Sequence, residues 1–147
     1  MKVCKFGGSS MANAEQFAKV RAILEADPER RFVVVSAAGK DAAHPVKLTD
    51  LLLRIAASDD QSLFQDVYAR LAPLCAELGL HYDLEAAIAT IQAEWQAHHD
   101  HDYLVSRGEV LTAHLIAEYL GWPFIDAATH TLFAQDEIDA AASVAGY

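Results

Sequence analysis

Residues 5–10 combine side chains and backbone that could bind and transfer a charged group. They read Lys-Phe-Gly-Gly-Ser-Ser. Two consecutive glycines let the backbone approach a ligand closely, and successive N–H groups in such a turn can bind an anion. The lysine adds a positive charge and the serines add hydroxyl donors, which together could stabilise a transferring phosphoryl group. A plain strand–helix turn with an exposed lysine explains Lys-x-Gly-Gly about equally well, and the common P-loop spacing is absent.

A second glycine turn, at residues 36–39, follows a run of apolar residues. In open α/β sheets, ligands bind beyond the carboxyl ends of the strands, and both glycine turns follow a predicted strand. We therefore expect the two loops to face one crevice. Taken alone, Ser-Ala-Ala-Gly is better explained as an ordinary turn.

Two further segments carry polar side chains at predicted helix starts. Thr49 and Asp50 precede three leucines, and either side chain could be the N-cap of a helix. Ser106 and Glu109 have the S-x-x-E spacing of a capping box, which the spacing alone favours. The alternative for Glu109 is functional, as a buried carboxylate beside the ammonium group of a ligand.

The run at residues 98–102, His-His-Asp-His-Asp, resembles a metal site at first sight. Adjacent side chains on a helix do not face each other, and structural zinc sites use thiolates or well-spaced histidines. We therefore interpret this run as a solvated helix end followed by a polar turn, and we predict no metal ligands. Cys4 and Cys75 are interpreted as small apolar core residues.

The elements that would position these residues begin with a β-α-β unit. Apolar runs at residues 3–6 and 32–35 predict two strands, the second buried on both faces, with a helix capped by Asn13 between them. This order favours a parallel sheet. A helical excursion of about 70 residues follows, before a short third strand at 124–125 and a helix at 136–143. The predicted fold class is α/β, a three-layer sandwich with a mostly parallel sheet.

Charge and composition exclude several classes of protein. The chain has 147 residues, 53 % of them hydrophobic, which is typical of one globular domain. Its 21 acidic and 11 basic residues give a net charge of −10 at pH 7, which argues against nucleic acid and anionic membranes as partners. No apolar run reaches the roughly 20 residues that span a bilayer. The N-terminus lacks the pattern of a signal peptide, and two cysteines make no disulfide framework, so we expect a cytoplasmic protein.

Five segments, in this order, resemble the aspartate kinases of the amino-acid kinase superfamily. Residues 5–10 resemble the opening Lys-Phe-Gly-Gly-[Ser/Thr]-Ser motif, and residues 33–40 resemble the second-strand motif. Residues 49–52 are similar to the Thr-[Asp/Asn]-x-Leu segment, 106–109 to Ser-x-Gly-Glu, and 124–127 to an Asp-Ala strand end. One such motif would be weak, but five in the right order are specific, and the similarity covers essentially the whole chain.

The resemblance implies ATP-dependent phosphorylation of the L-aspartate side-chain carboxylate, with ATP and Mg²⁺ as cofactors. The residues implied to bind ATP are Lys5, Gly7, Gly8 and Ser9. Lys5 is also the implied catalytic residue, because its charge would stabilise the transferring phosphoryl group. The residues implied to bind aspartate are Ser36, Thr49 and Glu109. Glu109 would pair with the α-ammonium group, and the product, 4-phospho-L-aspartate, would feed lysine, threonine and methionine synthesis.

The resemblance also implies that residues 1–147 are the N-terminal, substrate-side portion of a larger kinase domain. Enzymes of this family continue with a nucleotide-binding half and regulatory ACT domains, and the full-length enzyme is expected to be a homo-oligomer. We therefore expect this chain alone to turn over slowly or not at all. The segment 41–48 is longer than in many members, which leaves the placement of Thr49 open. The alternatives are a kinase for glutamate, carbamate or a nucleotide, and a non-catalytic fragment that binds aspartate or a partner.

Overall fold

A computed structural model describes residues 1–130, 132–134 and 137–139 of the chain. The main elements, in chain order, are β1 (Lys2–Phe6), a 3₁₀ turn (Gly8–Met11), α1 (Ala14–Glu25), β2 (Arg30–Val35), α2 (Leu48–Ser58), α3 (Leu63–Leu78), α4 (Leu84–His98) and α5 (His101–Leu120). Three short elements follow, which are α6 (Ala127–His130), β3 (Leu132–Ala134) and β4 (Glu137–Asp139).

The chain opens with the predicted β-α-β unit. β1 pairs with β2 in parallel, with Cys4 opposite Val33. The connecting helix α1 is capped as predicted, because the Asn13 side chain accepts a hydrogen bond from the Gln16 N–H at 2.9 Å. The parallel pairing and the helices packed against it confirm the α/β class.

The two faces of this sheet differ in what covers them. The side chains that face the helices belong to the core or pack against it, and they are Cys4, Phe6, Val33 and Val35. On the other face Phe32 is 38 % exposed and Val34 is 52 % exposed. Successive side chains of a strand point to opposite faces, so these two point away from the helices. The prediction that β2 is buried on both faces is therefore wrong within the described residues.

The predicted helical excursion consists of α2, α3, α4 and α5. Their apolar sides meet in one core, whose most buried leucines include Leu52, Leu71, Leu104 and Leu115. α3 ends at Gly79, whose φ of +66° is the left-handed conformation expected of a terminal glycine. None of the helices that the structure describes is long and apolar enough to cross a lipid bilayer.

Two predicted elements near the end of the described region are wrong. Residues 122–126 have no regular secondary structure. An extended segment becomes a strand only when its backbone pairs with a neighbour, and Phe124 and Ile125 pair with no strand among the described residues. Further on, β3 and β4 pair in antiparallel fashion. The helix predicted for residues 136–143 is therefore wrong at Glu137–Asp139. The other residues of that predicted helix lie outside the described part of the chain.

Candidate active site

A pocket of about 600 Å³ lies where the loops after β1 and β2 meet α2 and α5. Its lining residues are Gly8, Ser9, Ser36, Ala37, Gly39, Lys40, Lys47, Thr49, Asp50 and Glu109. Five of the seven residues singled out from the sequence are among them. The two glycine loops therefore face one crevice, as expected from their position after parallel strands.

Direct backbone contact holds the two loops together. The Gly39 N–H donates to the Gly8 carbonyl oxygen at 2.8 Å, and the Ser36 N–H donates to the Phe6 carbonyl oxygen at 3.0 Å. The parallel hydrogen-bond ladder thus continues past the ends of the strands. A Cβ on Gly39 would lie 2.6 Å from the Gly8 carbonyl carbon. Residue 39 must be glycine for this loop contact, which is a packing reason and not a ligand-binding one.

Lys5 and Gly7 lie outside the pocket lining. Lys5 is opposite Val34 in the sheet register and is exposed. A Cβ on Gly7 would meet no described atom within 4 Å, so the space beside this turn is open. The role of these two residues in ATP binding stays a prediction.

Thr49 reaches the pocket from the first turn of α2. This helix begins at Leu48 with Lys47 at the N-cap, and no side chain caps it. The prediction that Thr49 or Asp50 caps the helix is therefore wrong, since both lie inside it. The Leu48 N–H donates to the Ala38 carbonyl oxygen at 3.1 Å, which ties the helix start to the loop after β2. The first turn of α2 thus presents its polar side chains and the positive end of its dipole at the pocket.

Glu109 lines the pocket from the middle of α5. This helix begins at His101, where the Asp100 side chain caps it by accepting a hydrogen bond from the Tyr103 N–H at 3.1 Å. The capping box predicted for Ser106 and Glu109 is wrong, because the Ser106 hydroxyl donates to the Tyr103 carbonyl oxygen at 2.8 Å. Glu109 is exposed, not buried as its functional alternative supposed. Its carboxylate has no hydrogen bond or ion pair within the described residues, so it is available to a ligand ammonium group.

Two neighbours of Glu109, which the sequence analysis missed, hold α5 against the loop after β2. A Cβ on Gly108 would lie 2.9 Å from the Ala37 Cβ, so glycine permits the close approach. Thr112 is fully buried, and its Oγ1 accepts from the Ala38 N–H at 3.1 Å and donates to the Gly108 carbonyl oxygen at 2.8 Å. The available signal was a glycine and a threonine one turn apart, but their sequence does not show which loop they contact.

Arg70 of α3 is a further residue that the sequence analysis missed. Its side chain is 5 % exposed, and its Nη2 donates to the carbonyl oxygens of Ala12 and Gly39 at 2.7 Å each. Burial lowers the pKa of Arg70 below its ordinary value, while the nearby Asp41 carboxylate acts in the opposite direction. The available signal was an arginine within the apolar stripe of a predicted helix.

The long segment after Lys40 folds around Asp41. The Asp41 carboxylate accepts hydrogen bonds from the Asn13 side-chain amide at 2.9 Å and from the His44 backbone N–H at 2.7 Å. The hydrogen bond from Asn13 lowers the pKa of Asp41 most, and the hydrogen bonds from His44 lower it further, so that the pKa is about 2. The segment is thus tied to the N-cap of α1, and its extra length does not keep Thr49 from the pocket.

The pocket lining carries charges of both signs. Lys40 and Lys47 are positive, and Asp50 and Glu109 are negative. Three hydroxyl groups complete the polar lining, those of Ser9, Ser36 and Thr49. A ligand with both ammonium and carboxylate groups suits this lining better than a purely anionic one, because each of its charges can find an opposite charge.

The histidine-rich segment does not contribute to this pocket. His99 ends α4 in the left-handed conformation, with φ of 48°, and Asp100 caps α5. The segment is therefore an exposed turn between two helices, as interpreted from its sequence. In the part of the chain that the structure describes, no group of three or more His, Cys, Asp or Glu side chains could hold a metal ion.

Comparison with known proteins gives a consistent set of relatives. A family model described as "Amino acid kinase family" matches residues 1–144. Aspartokinase 3 of Bacillus subtilis (strain 168) is 45 % identical over 85 residues, which are 54 % of this chain and 19 % of that protein.

Solved structures agree with these sequence relatives. A crystal structure of Clostridium acetobutylicum aspartate kinase superposes with a TM-score of 0.90 and 32 % identity, over 98 % of this chain and 35 % of that chain. A structure of E. coli aspartokinase III in complex with aspartate and ADP gives a TM-score of 0.62 and 25 % identity, over 81 % and 28 % of the two chains. This chain therefore spans only about a fifth to a third of the length of these relatives.

Proposed function

The chain belongs to the amino acid kinase family, and on that premise we propose that it provides the substrate side of an aspartate kinase. The γ-phosphoryl group of ATP would move to the side-chain carboxylate of L-aspartate, giving 4-phospho-L-aspartate and ADP. Family membership confirms the resemblance found in the motifs. The observation that supports the proposal most strongly is one pocket lined by residues from four separate motifs, namely Gly8, Ser9, Ser36, Thr49 and Glu109.

In this proposal, aspartate binds with its α-ammonium group at the Glu109 carboxylate. Ser36 and Thr49 donate hydroxyl hydrogen bonds to its carboxylates. The side-chain carboxylate of aspartate is ionised at pH 7, so no general base is required. The task of these residues is to hold the nucleophile in line with the γ-phosphorus, which is where positioning lowers the barrier.

The phosphates of ATP would lie on the other side of the pocket, at the turn after β1. Gly7, Gly8 and Ser9 would donate backbone and hydroxyl hydrogen bonds, and the open space beside Gly7 leaves room for them. The Lys5 ammonium group would stabilise the charge of the transferring phosphoryl group. The E. coli relative, in complex with aspartate and ADP, supports the use of a nucleotide together with aspartate.

Mg²⁺ at such sites is held by one or two carboxylates together with substrate phosphates. We assign none of the described residues to this metal, which would arrive bound to the phosphates of ATP. When bound, the ion would neutralise part of the phosphate charge.

The proposal is tested by calorimetric titration with L-aspartate and with succinate, which lacks only the ammonium group. We expect succinate to bind at least about tenfold more weakly, because one charge-assisted hydrogen bond is lost. Glu109→Gln should lower the affinity for L-aspartate towards the level of succinate and should not weaken succinate binding. Glu77→Gln, an exposed position on α3, is the matched control. Equal affinities for the two ligands in the unsubstituted chain would refute the assignment of Glu109.

Turnover is measured by trapping the acyl phosphate with hydroxylamine in the presence of ATP and a panel of acceptors. We expect little or no turnover from this chain alone, and a preference for L-aspartate wherever turnover is detected. A preference for glutamate, carbamate or a nucleotide would favour another kinase of the family. A cytoplasmic location and a homo-oligomeric full-length enzyme belong to the same proposal.

A second candidate function, binding a partner chain without catalysis, is favoured by the open face of the β1–β2 sheet. Three apolar side chains are exposed there, those of Val3, Phe32 and Val34. Uncovered apolar faces and strand edges promote association. Light scattering over a wide range of concentration tests whether that partner is a second copy of this chain, since a constant monomer mass would contradict self-association through this face.

A further inference from the structure

We infer that Arg70 is a positioning residue for the candidate active site, because its guanidinium group holds both glycine loops from behind the pocket. Arg70 is not in the pocket lining, so it acts only through the loops that it anchors. The inference rests on the proposed function, which identifies this pocket as an active site.

The geometry places one nitrogen atom between the two loops. Arg70 Nη2 donates to the Gly39 carbonyl oxygen at 2.7 Å and to the Ala12 carbonyl oxygen at 2.7 Å. Gly39 ends the loop that carries Ser36, and its own N–H bonds Gly8 at 2.8 Å. Ala12 ends the 3₁₀ turn Gly8–Met11. Arg70 therefore bridges the loop assigned to aspartate and the loop assigned to the phosphates.

Packing alone does not explain why an arginine occupies position 70. It is 5 % exposed, and its Nε has no hydrogen-bond partner in the described structure. A buried cation with incomplete hydrogen bonding is costly, and an apolar side chain of similar volume often replaces such a group without loss of stability. Besides its attraction to the nearby Asp41 carboxylate, the guanidinium therefore contributes the pair of hydrogen bonds to the loops.

This anchor matters for phosphoryl transfer because the reaction depends on the distance between nucleophile and phosphorus. Displacements of about 1 Å in the positioning of reactants can lower a rate about a hundredfold. The loops after β1 and β2 carry the groups proposed to hold the two reactants. A change in their separation would alter that distance without changing any side chain that contacts a ligand.

The first test is amide hydrogen exchange in Arg70→Met and Arg70→Lys, with Arg54→Met on the exposed side of α2 as the control. We expect exchange at Ala38 and Gly39 to accelerate about ten- to a hundredfold in Arg70→Met, the effect of losing hydrogen bonds to a charged donor. The lysine variant keeps the charge and should show a smaller effect. Exchange at Leu111, in the core of α5, should not follow this increase.

Three results would overturn the inference. Unchanged exchange at Ala38 and Gly39 would show that Arg70 does not anchor the loop. An equal increase at Leu111 would show only a loss of overall stability. Equal effects of methionine and lysine would show that the positive donor is not what matters. If Arg70→Met does not fold, the comparison of Arg70→Lys with the unsubstituted chain decides.

The second test is calorimetric titration with L-aspartate. Both Arg70 variants should bind it more weakly, by about tenfold for methionine and less for lysine, while Arg54→Met binds normally. Unchanged affinity in Arg70→Met, despite faster loop exchange, would overturn the positioning role. If the unsubstituted chain does not bind L-aspartate, the proposed function is wrong for this chain, and the exchange test still judges the loop anchor independently.

Discussion

Replacing Gly39 by alanine would place a methyl group inside the contact between the two loops of the pocket. Its Cβ would lie 2.6 Å from the Gly8 carbonyl carbon, 2.8 Å from the Gly8 oxygen and 2.9 Å from the Ser9 nitrogen. All three are backbone atoms, which cannot move aside by a side-chain rotation. The loops must separate, and the 2.8 Å hydrogen bond from Gly39 to Gly8 must lengthen or break.

The expected cost follows from these contacts. Overpacking costs about 1–3 kcal/mol, and the lost hydrogen bond adds about 1 kcal/mol. Alanine restricts the unfolded chain, which offsets about 0.4–1 kcal/mol. The free energy of unfolding should therefore fall by about 1–4 kcal/mol.

Gly7→Ala is the matched control, since it makes the same chemical change at the other loop. Gly7 has φ of −75° and ψ of 174°, which alanine adopts readily, and its Cβ would meet no described atom within 4 Å. The free energy of unfolding should stay within about 1 kcal/mol of the unsubstituted chain and should rise if it changes. The added methyl group should nevertheless weaken ATP binding, because it occupies space assigned to the phosphates.

Urea unfolding followed by circular dichroism measures the stability of both variants, and calorimetric titration measures their ligand binding. Gly39→Ala should lose both stability and affinity for L-aspartate, whereas Gly7→Ala should keep its stability. Equal stability of the two variants would refute the reasoning from the loop contact, as would a larger loss in Gly7→Ala.

Acid should destabilise the fold through Asp41, whose pKa is about 2 in the folded chain against an ordinary 3.8. The ionised carboxylate should stabilise the fold by on the order of 1–2 kcal/mol. This stabilisation should be complete above pH 4 and lost as the pH falls through 2. The unfolding free energies of the unsubstituted chain and of Asp41→Asn should therefore become more similar over that range. Thr112→Val should cost about 1–3 kcal/mol in urea unfolding, because it leaves the buried Ala38 N–H without an acceptor, whereas Thr112→Ser should retain that hydrogen bond. In thermal unfolding, Asp100→Ala should cost about 1 kcal/mol and Ser106→Ala less than about 0.5 kcal/mol. The reverse order would instead support the capping box predicted for Ser106 and Glu109.

The β-α-β unit and the helical excursion were predictable from local signals. Apolar runs of strand length, the Asn13 cap and the glycines that end α3 and α5 each act over a few residues. Such signals do not depend on the rest of the fold. The class of the fold and the order of its main elements therefore follow from the amino-acid sequence.

Helix starts were less predictable because several residues in a row are acceptable caps. Asp100 and Ser106 both suit the N-cap of α5, and the helix begins at the earlier position. The extra residues include Leu104, which is fully buried in the core. Burial of that side chain favours the longer helix, and a capping rule based on neighbouring residues does not take burial into account.

The strand predicted at Phe124 and Ile125 shows the same limit for sheets. These residues have strand propensity, but a strand is made by pairing with a neighbour, and this segment has none in the described part of the chain. The propensity for an extended conformation depends on the residues themselves, whereas the pairing partner comes from another part of the chain.

The sequence by itself determined which chemical groups are present and in what order, namely a lysine followed by a glycine turn, then hydroxyl groups and a carboxylate. Only the tertiary structure decided which of these groups share a pocket and what supports them. The Ala38 N–H reaches Thr112 across 74 residues of chain, and Arg70 reaches Gly39 across 31. Contacts between residues so far apart form only when helices and sheet pack together, because no local interaction brings them into contact.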